Sequence, residues 1–576
     1  MTAALPAWAD QMRDLYLSGS GAQFLLHGNI FDVVPHGSGE ASRALSVLAF
    51  LDDVMFGSYE VVLHYDRSRG VRALKGQDDF AAWLRSALGD DEAALTRLRE
   101  PAAALELVDR YLLRTLNLGA LSPSSPAPRR IAVIIDFAEF VVPRGDAVQL
   151  GGGFSANVVK VLGWANDPAI LHSNIVTVLI TEEAHDLNEL VVENPHCVAL
   201  RIPLPDEAQM LEYVRALAAT EFPELPARCE VTLEVLARRL TGMSRVGARS
   251  VIALALKSQP TITAAWLRQR KKETIERECQ GLLEFLESPF TLDNIAGHDA
   301  VKAWLRDDAT LLRQGALTAL PMGYLIAGRI GTGKTFIVQC WAGELGVPCV
   351  VFKNFRDRWV GATESNLEKI FAILRALGQV VVFVDEADQA AGRRESGEGD
   401  SGLSGRVYAM LAKEMSDTGN RGRILWVFAT SRPDLLEVDL KRQGRLDVHI
   451  PLFPPETAEE QRALLAAVAR KLKLTLETAD LAAPPDGVVL GGNEIEGVLV
   501  RALRQRTLAP DPKPSIGAVL ADAFREVRPS AHTRMLEYMD LVAVKECTDA
   551  RFLTGRFARM TPEQVEARLR ELRTFA

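Results

Sequence analysis

Cysteine is scarce and unpatterned in this chain of 576 residues. Its six cysteines (Cys197, Cys229, Cys279, Cys340, Cys349, Cys547) never fall as C-x-x-C and have no histidines at zinc spacing, so reduced, buried thiols are expected. Long apolar runs are missing too, none approaching the roughly 18 residues that span a bilayer. The opening stretch MTAALPAWADQMRDLYL has no basic segment leading into an apolar core, so no signal peptide is expected. Positive charge is not in excess: 66 Lys and Arg face 75 Asp and Glu, a net charge of −9 that argues against a general polyanion binder. The densest basic run, Arg268 with Arg270, Lys271 and Lys272, is blunted at once by Glu273, Glu276 and Glu278. These absences leave a cytoplasmic globular protein with no nucleic-acid or membrane partner. Its length is too great for one core and calls for roughly three to five units.

One more absence is positional, since no G-K-[ST] occurs before residue 333. There the apolar run Tyr324-Leu325-Ile326-Ala327 meets a glycine-rich turn, and Gly333-Lys334-Thr335 opens a helical pattern. Strand, tight loop and helix start are the context that makes G-x-x-x-x-G-K-[ST] a phosphate cradle. Gly328, Gly331, Thr332 and Gly333 supply inward N–H groups, Lys334 reaches the β- and γ-phosphates, and Thr335 ligates Mg²⁺. Downstream, VVVFVDEAD (380–388) reads as a buried parallel strand that delivers Asp385 to the metal shell and Glu386 as general base. A third apolar strand, ILWVFAT (424–430), ends at Ser431. Arg442 and Arg445 follow around a glycine. One nucleotide site has no use for such a pair in cis, so they point to a neighbouring subunit's γ-phosphate.

With FTLDNIAG (290–297) and GGNEIEGVLVRA (491–502), residues 290 to 505 resemble the ATPase module of the AAA branch of the AAA+ superfamily. The resemblance implies a homo-hexameric ring that uses ATP and Mg²⁺ to act on protein substrates. Ile295, Phe336 and Gly492 then face the nucleotide, and Ser431 stands at sensor 1, where the family usually has Asn. RDRWVGATESNLEKIF (356–371) resembles the first pore loop of katanin-like and ESCRT-disassembling members, with Trp359 and Val360 as the grip on a polypeptide. Arg329-Ile330 replaces the common Pro-Pro of the loop. The overall layout resembles AAA proteins of algal plastids and cyanobacteria. Ser431 leaves a second reading open, a slow ATP-sensing assembly scaffold.

The first half reads as a degenerate copy. IAVIIDF (131–137) is similar to a Walker B strand in which Asp136 survives and Phe137 takes the place of the base. NIVTVLIT (174–181) is similar to a sensor strand with Glu182 following, and 197–218 repeats the strand, proline corner and lid helix of the second module. An unrelated α/β domain is the alternative. The fold expected is therefore α/β, with two AAA-like modules, each a parallel sheet with helices and a helical lid. Residues 1–260 form a module without a P-loop, 261–288 a connecting helix, 289–455 the ATPase core, and 456–576 the lid and C-terminal helices. Helix is also expected over 41–55.

Overall fold

A computed structural model describes residues 5–37, 43–88, 98–121, 130–145, 150–279, 282–352, 364–390, 409–485, 488–528 and 532–573. It divides into two compact units, residues 1–271 with 364–376, and 272–363 with 377–576.

In the second unit, six strands form one sheet: β9 (Leu283–Phe285), β10 (Gly323–Ala327), β11 (Cys349–Phe352), β12 (Val380–Val384), β13 (Ile424–Thr430) and β14 (Val448–Pro451). Their order is β14-β10-β13-β12-β11-β9, parallel throughout except for β9 at the edge. Every residue of β10, β12 and β13 is buried, as expected for central strands covered on both faces. Helix Lys334–Leu345 lays Trp341 edge-on against Tyr324 of β10, with ring centroids 5.3 Å apart. An edge-on aromatic pair of this kind adds about 0.5–1.5 kcal/mol beyond the burial of its surface. The lid follows as helices Ala458–Lys471, Gly492–Leu508 and Ile516–Glu526 around their own apolar core, the first with a Thr457/Glu460 capping box. Two helices close the chain, Thr533–Glu546 and Pro562–Leu572, the latter with Thr561 as N-cap and Pro at its first position, as its sequence predicts.

The first unit contains β1 (Gln23–Gly28), β2 (Val33–His36), β3 (Arg43–Ser46), β4 (Val61–Asp66), β5 (Gly70–Lys75), β6 (Arg130–Ile135), β7 (Asn174–Ile180) and β8 (Cys197–Ile202). Its main sheet runs β5-β4-β6-β7-β1-β8. Taken from β8, the parallel order is fifth, first, fourth, third, second, and β14-β10-β13-β12-β11 gives the same sequence of positions. An antiparallel edge strand closes both sheets at the same end, β5 beside β4 and β9 beside β11. The two units thus share one order of parallel strands, although β5 follows β4 directly and β9 precedes β10 in the chain. Helices Glu207–Thr220, Leu233–Leu240 and Arg245–Ser258 follow β8 in the place of a lid.

Two sequence expectations are corrected. Helix was expected across 41–55, but Arg43–Ser46 pairs antiparallel with β2, and only Val47 onward is helical, with the Ser46 side chain as cap. The connecting helix expected over 261–288 is confined to Ala264–Glu278, because Leu283–Phe285 is taken up as the edge strand beside β11. Among the cysteines, Cys197, Cys279, Cys340 and Cys349 are buried as expected, whereas Cys229 and Cys547 are only partly covered.

Candidate active site

The phosphate loop leaves β10 at Gly328, where a side-chain carbon would collide with the Leu452 carbonyl. Gly331 and Gly333 both adopt φ of 86°, a region that other residues enter only at a cost, so the loop's curl depends on glycine there. Thr332 donates to the Arg329 carbonyl at 2.9 Å and tightens the turn. Lys334 then folds back over the loop. Its Nζ donates to the carbonyls of Gly328 (2.8 Å) and Arg329 (3.1 Å) and to Ser431 Oγ (3.0 Å). Burial pulls its ammonium below the usual lysine range, while Asp385, Asp388 and Glu386 push the other way.

Parallel pairing of β10, β13 and β12 brings the remaining groups to one sheet edge. Thr335 Oγ1 donates to Asp385 Oδ2 at 2.7 Å, so the two oxygens expected to ligate Mg²⁺ are side by side. An alcohol and a carboxylate at the foot of a phosphate loop are the hard donors that this ion takes, and the residues fit it. Glu386 lies next to them, exposed, with its N–H on Asp385 Oδ1 (3.0 Å) and a left-handed φ of 48°. A non-glycine residue held there marks a backbone fixed by its surroundings. Asp388 accepts from Thr430 Oγ1 at 2.6 Å, a contact that the sequence reading missed.

Beside the loop, a cleft of about 220 Å³ is lined by Ile295, Phe336, Phe453, Leu464, Val468 and Gly492, with the backbone of Gly331, Thr332 and Gly333. Apolar walls over a polar floor suit a purine above a phosphate chain. The lid seals it: the Gly492 N–H donates to the Gly331 carbonyl at 2.9 Å. Phe453 and His298 also line this cleft and were not anticipated. The proline corner PLFPP (451–455) marks Phe453 in retrospect, whereas burial, which pushes the His298 imidazole down to about 4, left no trace in the sequence.

Two sets of expected residues lie elsewhere. Arg442 is 64% exposed and meets Asp439 at 3.3 Å. Arg445 is buried, and its guanidinium donates to the Asp439 carbonyl at 2.6 Å besides pairing with the Asp439 carboxylate. Trp359 and Val360, and the second-pore-loop stretch 392–405, lie outside the described residues.

In the first unit the equivalent apparatus is present in outline only. Gly28 approaches the Ile202 carbonyl as Gly328 approaches that of Leu452, but the chain then enters the β2–β3 hairpin and no helix begins there. Phe137 keeps the left-handed φ of 54° and an N–H on Asp136 Oδ1 (3.0 Å), so Asp136-Phe137 copies the backbone of Asp385-Glu386 without its carboxylate. Four residues after Gly28 comes Asp32. It is 4% exposed and accepts from the N–H groups of Arg245 (3.0 Å) and Val246 (2.9 Å), the first turn of helix Arg245–Ser258. A helix N-terminus binds anions, and here the chain supplies its own. His64 is buried within 3.7 Å of Asp136 and 3.0 Å of Arg72.

Comparison with known proteins agrees with this geometry. Residues 2–203 match the AAA+ chaperone N-terminal Rossmann-like domain, 209–280 the AAA+ chaperone second helical domain, and 324–453 the ATPase family associated with various cellular activities. The chain belongs to the AAA+ ATPases. Among curated proteins, the ATP-dependent zinc metalloprotease FtsH 2 of Symbiobacterium thermophilum is 34% identical over 206 residues, 34% of this chain and 35% of that protein. Peroxisomal ATPase PEX6 of Rattus norvegicus is 28% identical over 357 residues, 56% of this chain and 36% of its own length. Fidgetin-like protein 1 of Rattus norvegicus is 28% identical over 266 residues, 43% and 39% of the two chains. The chain thus spans little more than a third of the length of these relatives. Among the described residues, no helix is long and apolar enough to cross a membrane.

Proposed function

We propose that this chain is an ATP-driven ring motor, a cytoplasmic homo-hexamer that remodels protein substrates. The observation that carries the reading is a division of labour. Lys334, Thr335, Asp385 and Ser431 meet at one site, while the guanidinium of Arg442 faces solvent and pairs with Asp439. Such a site has its phosphate cradle, and a neighbouring chain's Arg442 adds a guanidinium to meet the charge that develops in phosphoryl transfer. Arg445 in this reading braces Asp439 and the turn that presents Arg442. The AAA+ chaperone matches support a protein substrate.

Within the site, Lys334 exchanges the Gly328 and Arg329 carbonyls for the phosphates. Thr335 and Asp385 would hold Mg²⁺, which when bound would supply neutralisation of phosphate charge. Glu386 takes the proton of the attacking water. Ile295, Phe336 and Gly492 enclose the base, Thr332 and the loop glycines the phosphates. Trp359 and Val360 grip the polypeptide. Residues 289–455 serve as the motor core and 456–576 as its lid and tail; 1–260 act as a nucleotide-free scaffold. One bound nucleotide per chain, and sustained turnover that a permanently unfolded polypeptide stimulates, are the expected results of a binding-stoichiometry and phosphate-release assay. Two nucleotides per chain, or turnover indifferent to polypeptide, would defeat it.

The slow-scaffold reading has one observation in its favour: the Ser431 hydroxyl is occupied by Lys334 and is short. An amide there reaches farther and can both accept from Lys334 and donate to water. Ser431→Asn is therefore expected to raise steady-state kcat by about tenfold, a fraction of what one positioned donor contributes elsewhere. A lower kcat would show that the site is built around the smaller side chain.

A further inference from the structure

The tail helix Thr533–Glu546 carries a carboxylate that no part of the proposed chemistry uses. Asp540 is fully buried, and neither of its oxygens has a hydrogen-bond partner. A buried carboxylate without one is costly, and such groups are kept for a reason outside simple packing. The nearest cation is Arg329 of the phosphate loop, whose Nη1 stops 3.8 Å away with its side chain 12% exposed. That is an ion pair just beyond hydrogen-bonding reach. The same residue's carbonyl is one of the two that hold Lys334.

Arg329 therefore has one end on each side of a choice. Its carbonyl belongs to the lysine as long as no phosphate claims it, and its guanidinium faces the tail. When phosphate takes Lys334, the Arg329 carbonyl loses the lysine and keeps Thr332 as its donor, and the Arg329 side chain can close the remaining gap to Asp540. We propose that Asp540 is a positioning residue of the nucleotide site, acting through Arg329 to favour the loop conformation that has given up Lys334. The tail helix and the phosphate loop are then coupled, and by linkage a bound nucleotide must favour the ionised carboxylate as much as that carboxylate favours the nucleotide.

The surroundings of Asp540 set a pH signature. Burial pushes its carboxyl up to about 7; Arg329 and Arg556 draw it down, Glu456 and Glu537 push it up. Glu456 is itself paired with Arg556 at 2.9 Å, and Glu537 with Arg568 at 2.8 Å, so Arg329 is the near cation for Asp540, with the Lys334 ammonium, which Asp540 helps keep charged, farther off. Because the ionised form favours nucleotide, affinity rises as pH rises through that value.

The proposal rests on residues 328–335 being a nucleotide site, and the test separates the two. A fluorescent ADP analogue is titrated into the full chain from roughly pH 6 to pH 8, for wild type, Asp540→Asn, Arg329→Met and the double variant. Wild-type affinity should rise about five- to tenfold across this range. Asp540→Asn should stay near the low-pH value throughout, Arg329→Met should match it, and the double variant should be no worse than either. Titration of the nucleotide's own phosphate is common to all four chains and cancels. In turnover, the loss should fall on KM rather than on kcat. A wild-type pH profile retained in Asp540→Asn, with or without lower thermal stability, overturns the proposal and leaves the nucleotide site standing. Failure of the wild type to bind the analogue at any pH overturns both.

Discussion

Arg442→Ala is expected to lower ATP turnover about 10³–10⁵-fold while nucleotide affinity of the isolated chain stays nearly unchanged. The two halves of that result have separate physical causes. Within its own chain Arg442 makes an exposed pair with Asp439, and solvent screening leaves such pairs weak, so folding and the chain's own cleft hardly register the loss. In the proposed ring the same guanidinium would meet, across a subunit boundary, charge that develops only as the γ-phosphoryl group transfers, where a finger is worth several kcal/mol. Mixing provides the check. Lys334→Ala chains have no phosphate cradle but intact arginines, and Arg442→Ala chains are the reverse. Rings that contain both should regain part of the activity that neither shows alone. No recovery in rings shown by mass to be mixed, with isolated monomers that hydrolyse at the full rate, would sink the shared-site reading.

Glu386→Gln should bind ATP normally and turn it over about 10²–10⁴-fold more slowly, the usual contribution of a positioned base. The amide matches the carboxylate in size and leaves the N–H contact to Asp385 in place, so neither the left-handed turn nor the metal ligands should change. Trapped ATP should accumulate on the chain in a quenched single-turnover experiment, and assemblies should persist longer. A variant that turns over at the wild-type rate would assign the base to another residue.

The second unit's site was legible because its chemistry is contiguous. Gly328 to Thr335 is one loop, and Asp385 and Glu386 directly follow the run that builds β12. Parallel strands then bring Ser431 to Lys334 with no further information needed. What escaped was whatever depended on a distant partner. The residues of β3 are alanine, leucine and polar neighbours that read as helix; only pairing with β2 makes them a strand. Leu283–Phe285 is a strand because β11 offers an open edge, and nothing in its own three residues says so. Asp32 finds its helix N-terminus 213 residues along the chain. Asp540 likewise faces an arginine from the far side of the lid sequence. In the first unit the reverse happened: sequence showed the missing Glu and P-loop at once, but not that Phe137 retains the strained backbone of the site it replaced.

The Asp32 contact has a consequence for how the chain senses its surroundings. A nucleotide that clamps a lid is a dissociable reagent, present at whatever level metabolism maintains and removed after each round of hydrolysis. Asp32 is tethered beside its helix terminus by the polypeptide, so its local concentration is fixed and no turnover can expel it. Closure of that terminus is thus blind to the ratio of ATP to ADP. In the proposed reading the lid helix Gly492–Leu508, tied to the phosphate loop at Gly331, follows energy charge, and the first half keeps its form when fuel runs out.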